Sequence, residues 1–422
     1  MRKKLIIASN RLPFKIEKRN GAYEISISSG GLVSALKSFI DHYKHQYEIV
    51  WVGCPDFSMD AWQENQHAFQ KHDFDIHPVF IHNKKDKTLY YNGFSNSTIW
   101  PLFHYFPSFA EFKEEQYAAY KKVNRLFADE ILKIAKAEDV IWIHDYHLML
   151  LPEWIKNHIP DAQVGFFLHI PFPSHEIYKL LPEVWRKEIL NSLIRSDLVG
   201  FQTKDYANHF LHTAAYFLGI ENSHGKIFHN GHLCNVSDYP ISVDFDRFFD
   251  AFDSAAVKKG RKSLLEKYIN LQLIFSVDRL DYTKGILNRL LAFEKLLEDH
   301  PAYKEKAVFI LNVVPSRDAI SKYFQRKKMI EENIGRINGK HGNVDWQPII
   351  YQYRHLSFTQ LLTFYTACQV ALVTPLRDGM NLVAKEFVAS RADRKGVLVL
   401  SEMAGAANEL EMAVIVNPTD IK

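Results

Sequence analysis

The chain reads as an α/β protein made of two doubly wound domains that face one another across a deep cleft. Three observations predict this. Its 422 residues exceed the usual size of a single core. Short β-branched and aromatic runs alternate with longer segments of helical period, the pattern of parallel sheets covered on both faces. The alternation lapses once, around residues 222–247, where Gly, Asn, His and Asp crowd together before a second β/α series begins. The domains are accordingly set at residues 1–243 and 244–422.

The elements come in order. KLIIA (4–8) is an apolar run behind a basic start; it ends at Ser9-Asn10-Arg11, too soon for a signal peptide, and is read as the first strand. EIVWVG (48–53), HPVFI (77–81), VIWIH (140–144), VGFFLH (164–169) and LVGFQ (198–202) complete the first series. LIFSV (273–277), VFILNVV (308–314), IIYQY (349–353), VALVT (370–374), VLVLS (397–401) and AVIVN (413–417) form the second. Between them lie segments such as GILNRLLAFEKLLED (285–299), apolar at three- and four-residue intervals.

Composition excludes several function classes. Fifty-two basic against 49 acidic residues leave a net charge of only +3, so neither nucleic acid nor a membrane surface is read by bulk charge. Any anion must be held by a local cluster. Cys54, Cys234 and Cys368 are far apart, without the spacing of a disulfide framework or a zinc site, which fits a reducing cytoplasm. No apolar run reaches membrane-spanning length.

The informative residues are those just past the strands, because ligands of open α/β sheets bind beyond the carboxyl ends. In TPLRDGMNLVAKEF (374–387), Gly379 is expected to turn the chain into a helix whose first amides, near Leu382 and Val383, attract phosphate. Asp378 and Asn381 can bond sugar hydroxyls, and Glu386 a ribose; an ordinary capped helix is the alternative. In VDRLDYTKG (277–285), Arg279 and Lys284 offer two cations to a diphosphate leaving group, while the bland reading is an Arg279–Asp281 surface pair beside an exposed lysine. WIHDYHL (142–148) places Asp145 to orient sugar hydroxyls, with His144 and His147 as structural histidines; a metal site lacks further ligands at suitable spacing. His169 ends another strand before two prolines, where a buried, hydrogen-bonded role competes with a catalytic one. Arg11, Arg317, Tyr91 and Trp100 would suit a second, phosphorylated ligand, although the aromatic segment 90–105 equally suits core packing. SSGG (28–31) is a glycine turn able to approach a ligand closely.

Taken together, SNRLP at residue 9, SGGLVSAL, YYNGFSN, WPLFHY, WIHDYHL, FFLHIPFPS, GFQT, DRLDYTKG, VPSR, TPLRDGMNLVAKEF, LSEMAGAA and VNP ending at 418, in that order, resemble glycosyltransferase family 20, the trehalose-6-phosphate synthases. The resemblance implies a GT-B fold of two Rossmann-like domains, acceptor side first and donor side second. It also implies transfer of glucose from UDP-glucose to glucose 6-phosphate with retention, giving α,α-trehalose 6-phosphate and UDP. By the same resemblance Gly31, Arg279, Lys284 and the amides of Leu382 and Val383 face the donor diphosphate. Asp378, Met380 and Asn381, with Gly379 between them, hold the donor glucose, and Glu386 its ribose. Arg11, Tyr91, Trp100, Asp145 and Arg317 form the acceptor site, with His169 beside the reacting sugar. Arg279, Lys284, His169 and Asp145 are the expected catalytic set.

UDP-glucose is then a co-substrate, and neither a cofactor nor a metal is expected; a homo-oligomer is compatible. No side chain in the sequence offers itself as a nucleophile, which suits a same-face displacement assisted by the leaving phosphate. Two departures stand out. Pro240-Ile241-Ser242-Val243-Asp244 replaces the family's Pro-Ile-Gly-Ile-Asp at the domain junction, and the chain stops at VNPTDIK where relatives continue into further helices, or into a phosphatase domain in bifunctional ones. Two other functions compete: a synthase using the same donor with another phosphorylated acceptor such as glycerol 3-phosphate, and a non-catalytic sugar-phosphate sensor.

Overall fold

The computed structural model describes residues 2–421 apart from 20–21, 28–35, 37–38, 41, 70–73 and 317–320. The chain divides into two compact units, Met1–Ile241 and Ser242–Lys422. Each is built on a mostly parallel sheet, with helices joining most of its parallel strands.

In the first unit the strands are β1 (Lys4–Arg11), β2 (Phe14–Arg19), β3 (Ala22–Ile27), β4 (Glu48–Cys54), β5 (Asp75–Pro78), β6 (Val140–His144), β7 (Gln163–Phe167), β8 (Leu198–Phe201), β9 (Asn222–Ser223), β10 (Lys226–His229) and β11 (His232–Asp238). The main sheet runs β5-β4-β1-β6-β7-β8-β11-β10-β9, parallel through β11, with β2 and β3 pairing separately as an antiparallel hairpin. Leu5, Ile6, Ile7 and Ala8 of β1 are all buried, because a central parallel strand is covered on both faces.

The second unit holds β12 (Gln272–Arg279), β13 (Ala307–Val314), β14 (Ile349–Tyr353), β15 (Val370–Val373), β16 (Val397–Ser401) and β17 (Val414–Val416). Their order is β14-β13-β12-β15-β16-β17, all parallel. β13 is buried almost end to end.

Both orders contain a point where succession reverses. The chain leaves β1 toward β4 on one side and resumes with β6 on the other; it leaves β12 toward β13 and resumes with β15. Such switch points open a crevice beyond the carboxyl ends of the two strands concerned. Residues Ser9–Arg11 and His144–Asp145 end the first pair of strands, and Asp278–Arg279 and Thr374–Asp378 lie at the ends of the second.

The lapse at 222–247 is less irregular than its composition suggests. Residues 222–238 form β9, β10 and β11, with Asn230 (φ 49°) and Gly231 (φ 74°) turning β10 into β11. Two consecutive left-handed residues are what a tight hairpin needs, and Asn-Gly supplies them. The three cysteines are buried and free. Among the described residues no helix is long and apolar enough to cross a membrane.

Candidate functional site

At the first unit's switch point, the end of β1 is deformed. Its register against β4 shifts between Ala8 and Arg11, Ser9 Oγ donates to the Arg11 carbonyl at 2.8 Å, and Trp51 Nε1 donates to Ser9 Oγ at 2.8 Å. A bulge of this kind re-aims the residue that comes after it. Gly53 on β4 makes room: a Cβ there would stand 2.8 Å from the Leu12 nitrogen and 2.9 Å from the Arg11 carbonyl carbon. The exposed Arg11 guanidinium then donates to Tyr91 Oη at 3.1 Å.

Tyr91 lies on an unusual element. Residues Leu89–Ile99 wind as a π-helix, and Asn96 and Ser97 side chains donate to the carbonyls of Tyr91 and Asn92 at 2.7 Å each. Wide turns of this type gather at functional sites. The Tyr91 ring stacks on His147 with centroids 5.8 Å apart and planes 9° apart, and His147 Nδ1 is 3.9 Å from Asp145 Oδ2. Trp100 is buried, 4.2 Å from the His104 ring and 5.7 Å from Tyr146.

Asp145 sits at φ 77°, ψ 168°, backbone that only glycine adopts freely. Hydrogen bonds hold it there: its N–H donates to the Phe167 carbonyl at 2.8 Å, and its Oδ1 accepts the His169 N–H at 3.2 Å. His169 in turn contacts His144 and Gln202 through its ring. Arg11, Tyr91, Asp145 and His169 therefore form one contiguous line through His147, a residue the sequence suggested only as structural support. Burial pushes the His169 imidazole down to about 3 and holds His144 well below its ordinary value, so both rings are neutral at physiological pH.

The second unit's switch point is built from ions. After β12, Asp281 Oδ1 accepts the Thr283 N–H at 3.0 Å and Oδ2 accepts Tyr323 Oη–H at 3.1 Å. With Asp281 buried in that way, it does not serve as a surface partner for Arg279, whose side chain is exposed. Gly285 ends the turn at φ 67°, where a Cβ would stand 2.4 Å from the Thr374 carbonyl oxygen. The helix Ile286–Asp299 can therefore start against the residue that comes after β15. Lys284 is buried, not exposed, and its Nζ lies 2.6 Å from Asp378 Oδ2.

Asn381 Nδ2 donates to the same Asp378 oxygen at 3.0 Å, and the Met380 N–H reaches Oδ1 at 3.4 Å. The left-handed residue of this turn is Asn381 (φ 80°). Asn tolerates that conformation and gains a use from it. Its Oδ1 caps the helix Leu382–Ala389 by accepting the Ala384 N–H at 3.1 Å, leaving the amides of Leu382 and Val383 ahead of the capped one. Further along, Glu386 Oε2 accepts Tyr365 Oη–H at 2.9 Å. Burial raises the Glu386 carboxyl to about 7, against the smaller opposing effects of that bond and of Arg247.

Beneath the turn lies a residue that sequence reasoning missed. Arg289, on the helix Ile286–Asp299 and almost wholly buried, pairs with Asp278 at 2.6 Å and donates to Ser276 Oγ and to the Lys284 carbonyl. It ties the end of β12 to the backbone that carries Lys284. Asp278 is itself raised by burial, with Arg289 and Lys284 pulling the other way. The expected site residues Gly31 and Arg317 lie outside the described residues. Elsewhere among the described residues, Glu294, Glu298 and His341 come close enough to share a cation, but Arg336 at 2.6 Å from Glu294 and Lys340 at 2.5 Å from Glu298 already neutralise the carboxylates.

Comparison with known proteins identifies the family. The pattern of glycosyltransferase family 20 matches residues 3–422. A bifunctional trehalose-6-phosphate synthase/phosphatase from Thermoproteus tenax is 43% identical over 99% of this chain, which spans 57% of that protein's length. An alpha,alpha-trehalose-phosphate synthase (UDP-forming) from Burkholderia xenovorans, solved in complex with glucose-6-phosphate, superposes with a TM-score of 0.87 at 30% identity, covering 99% of this chain and 89% of its own. A solved trehalose-6-phosphate structure from E. coli, bound with UDP-2-fluoro glucose, superposes with a TM-score of 0.87 at 34% identity over 100% of this chain and 89% of its own.

Proposed function

The chain belongs to glycosyltransferase family 20, and we propose that it transfers glucose from UDP-glucose to glucose 6-phosphate, giving α,α-trehalose 6-phosphate and UDP with retention at the donor carbon. The observation that carries the reading is the ion cluster at the second unit's switch point: a buried lysine held 2.6 Å from Asp378, behind a helix start with two forward amides. A preorganised cation there costs no rearrangement when charge develops on a departing diphosphate, which is where such a group stabilises a transition state most.

In this reading the bond from the glucose anomeric carbon to the β-phosphate oxygen breaks as the bond to the acceptor's anomeric oxygen forms on the same face. The acceptor's hydroxyl proton passes to the leaving phosphate. Lys284 and Arg279 neutralise the diphosphate, so no metal is required. Asp378 and Asn381 orient donor hydroxyls, Glu386 takes the ribose, and Gly31 contributes backbone to the diphosphate. Arg11, Tyr91, Trp100 and Arg317 hold the phosphorylated acceptor, and Asp145 orients its hydroxyls, as its neutral histidine neighbours suit. We also propose a cytoplasmic location, which the three free cysteines suit.

Incubation with UDP-glucose, EDTA and a panel of acceptors tests this. UDP release that depends on glucose 6-phosphate, with a non-reducing disaccharide phosphate as product, is expected. Release with glycerol 3-phosphate alone would transfer the assignment to another acceptor. Binding of either sugar phosphate without turnover would make the chain a sensor, and loss of activity in EDTA would remove the metal-free step.

A further inference from the structure

The imidazole of His169 has both ring nitrogens engaged by protein groups. Nδ1 lies 3.4 Å from Gln202 Nε2, and Nε2 lies 3.1 Å from His144 Nδ1. A backbone group sets the direction of each bond. The Ile241 N–H, the last amide of the first unit, meets Gln202 Oε1 at 3.0 Å. A backbone N–H only donates, so the oxygen of the Gln202 amide must face Ile241 and its NH2 must face His169. Nδ1 of His169 is then an acceptor. In a neutral ring the single proton sits on Nε2 and is donated to His144 Nδ1, which places the His144 proton on its own Nε2. That Nε2 is buried with no hydrogen-bond partner. Burial keeps both rings neutral, and the carboxylate at hand, Asp145, is turned to the His169 backbone amide.

We propose that Gln202 is a positioning residue that locks His169 in the Nε2–H tautomer, so that neither ring nitrogen is available to carry a proton to or from the substrate. His169 then shapes the sugar site by its fixed ring plane and is not a general acid or base. The line Ile241–Gln202–His169–His144 also explains why a glutamine stands directly after β8: an amide can, at any pH, accept from a backbone N–H at one end and donate to an imidazole at the other. A glutamate of the same shape cannot.

Two-bond 1H–15N correlation on the ligand-free full chain with 15N-labelled histidine reads the tautomer directly, with His169 assigned by its loss in His169→Asn. The wild type should show His169 and His144 as neutral Nε2–H forms, unchanged from pH 8 to pH 5. Gln202→Glu puts an acceptor opposite Nδ1, so His169 should move to the Nδ1–H or doubly protonated form and titrate within that range. Its kcat should fall by about tenfold and gain an ionisation step absent from the wild type, with the KM for UDP-glucose nearly unmoved. Gln202→Leu should give mixed tautomers; if it fails to fold, the isosteric glutamate decides alone. An Nδ1–H wild-type ring, or the same His169 spectrum in wild type and Gln202→Glu, overturns the proposal. The kinetic arm rests on the glucosyl-transfer reading and the spectroscopic arm does not: the predicted tautomers without any UDP release would sink that reading and leave the tautomer lock standing.

Discussion

The two units place their polar groups in the same topological position and give them opposite electrostatic character. Around the ends of β1, β6, β7 and β8, two neutral histidines, a tyrosine and an amide stand beside the charged Arg11 and a strained Asp145. At the end of β12 and beyond β15 they are ions already in contact, Lys284 with Asp378 and Arg289 with Asp278. Neutral groups suit sugar hydroxyls, which need direction more than charge. A rim of buried, paired ions suits a ligand that brings or develops negative charge, because the cation is already desolvated and aimed. The same fold thus carries two electrostatic environments on the residues just past its strands.

The comparison can be broken at four places. The largest effect is expected at Arg289. Arg289→Met leaves Asp278 buried without its partner, at a cost of about 3–5 kcal/mol in stability by denaturant titration. Arg289→Lys should keep the charge but lose the bridge from Asp278 to the Lys284 carbonyl, recovering stability more than turnover. Next, Lys284→Ala should lower kcat by about 10²–10³ at saturating donor; near-normal turnover would remove its assigned role.

Third is Glu386. Its folded-state carboxyl is raised to about 7 from 4.5, so the folded protein binds a proton that the unfolded chain has released. Stability attributable to this group is full below pH 4.5 and is lost as pH rises to about 7. Glu386→Gln should therefore be more stable than wild type at pH 8, by about 3 kcal/mol, and nearly equal at pH 4.5. Nucleotide affinity should move the other way, strengthening in the wild type as pH rises through about 7 and staying flat in the variant. The smallest effect is expected from Gly53→Ala, where a methyl group meets the backbone of Arg11 and Leu12. A loss of about 1–2 kcal/mol in stability should come with a higher KM for the phosphorylated acceptor and an unchanged one for the donor.

Strands and their trailing residues were legible because a buried parallel strand must be β-branched or aromatic throughout, and a polar residue that ends such a run stands out. The reversal of strand order could not be read locally, yet it is what makes those trailing residues neighbours. Other features left weaker traces. The π-helix at Leu89–Ile99 has no periodicity of its own that distinguishes it from packed aromatic sequence. Asn230-Gly231 was a usable hairpin signal, obscured by the composition around it. In the turn before Leu382 the sequence pointed to Gly379 for the bend and to Asn381 for a sugar hydroxyl; that Asn381 takes the left-handed conformation and caps the helix is visible only in the fold. Arg289 was invisible for a simpler reason: an arginine on an amphipathic helix is nearly always solvated, and only the fold shows the carboxylate and carbonyl buried beside it.

The central claim is that Lys284, held ready by Asp378, meets the phosphates of a nucleotide and not its base or sugar. Calorimetric titration of UDP and of uridine into wild type and Lys284→Ala tests this without requiring turnover. A loss of about 100-fold in UDP affinity with uridine binding unchanged is predicted. Equal losses for both ligands, or no loss for UDP, would contradict it.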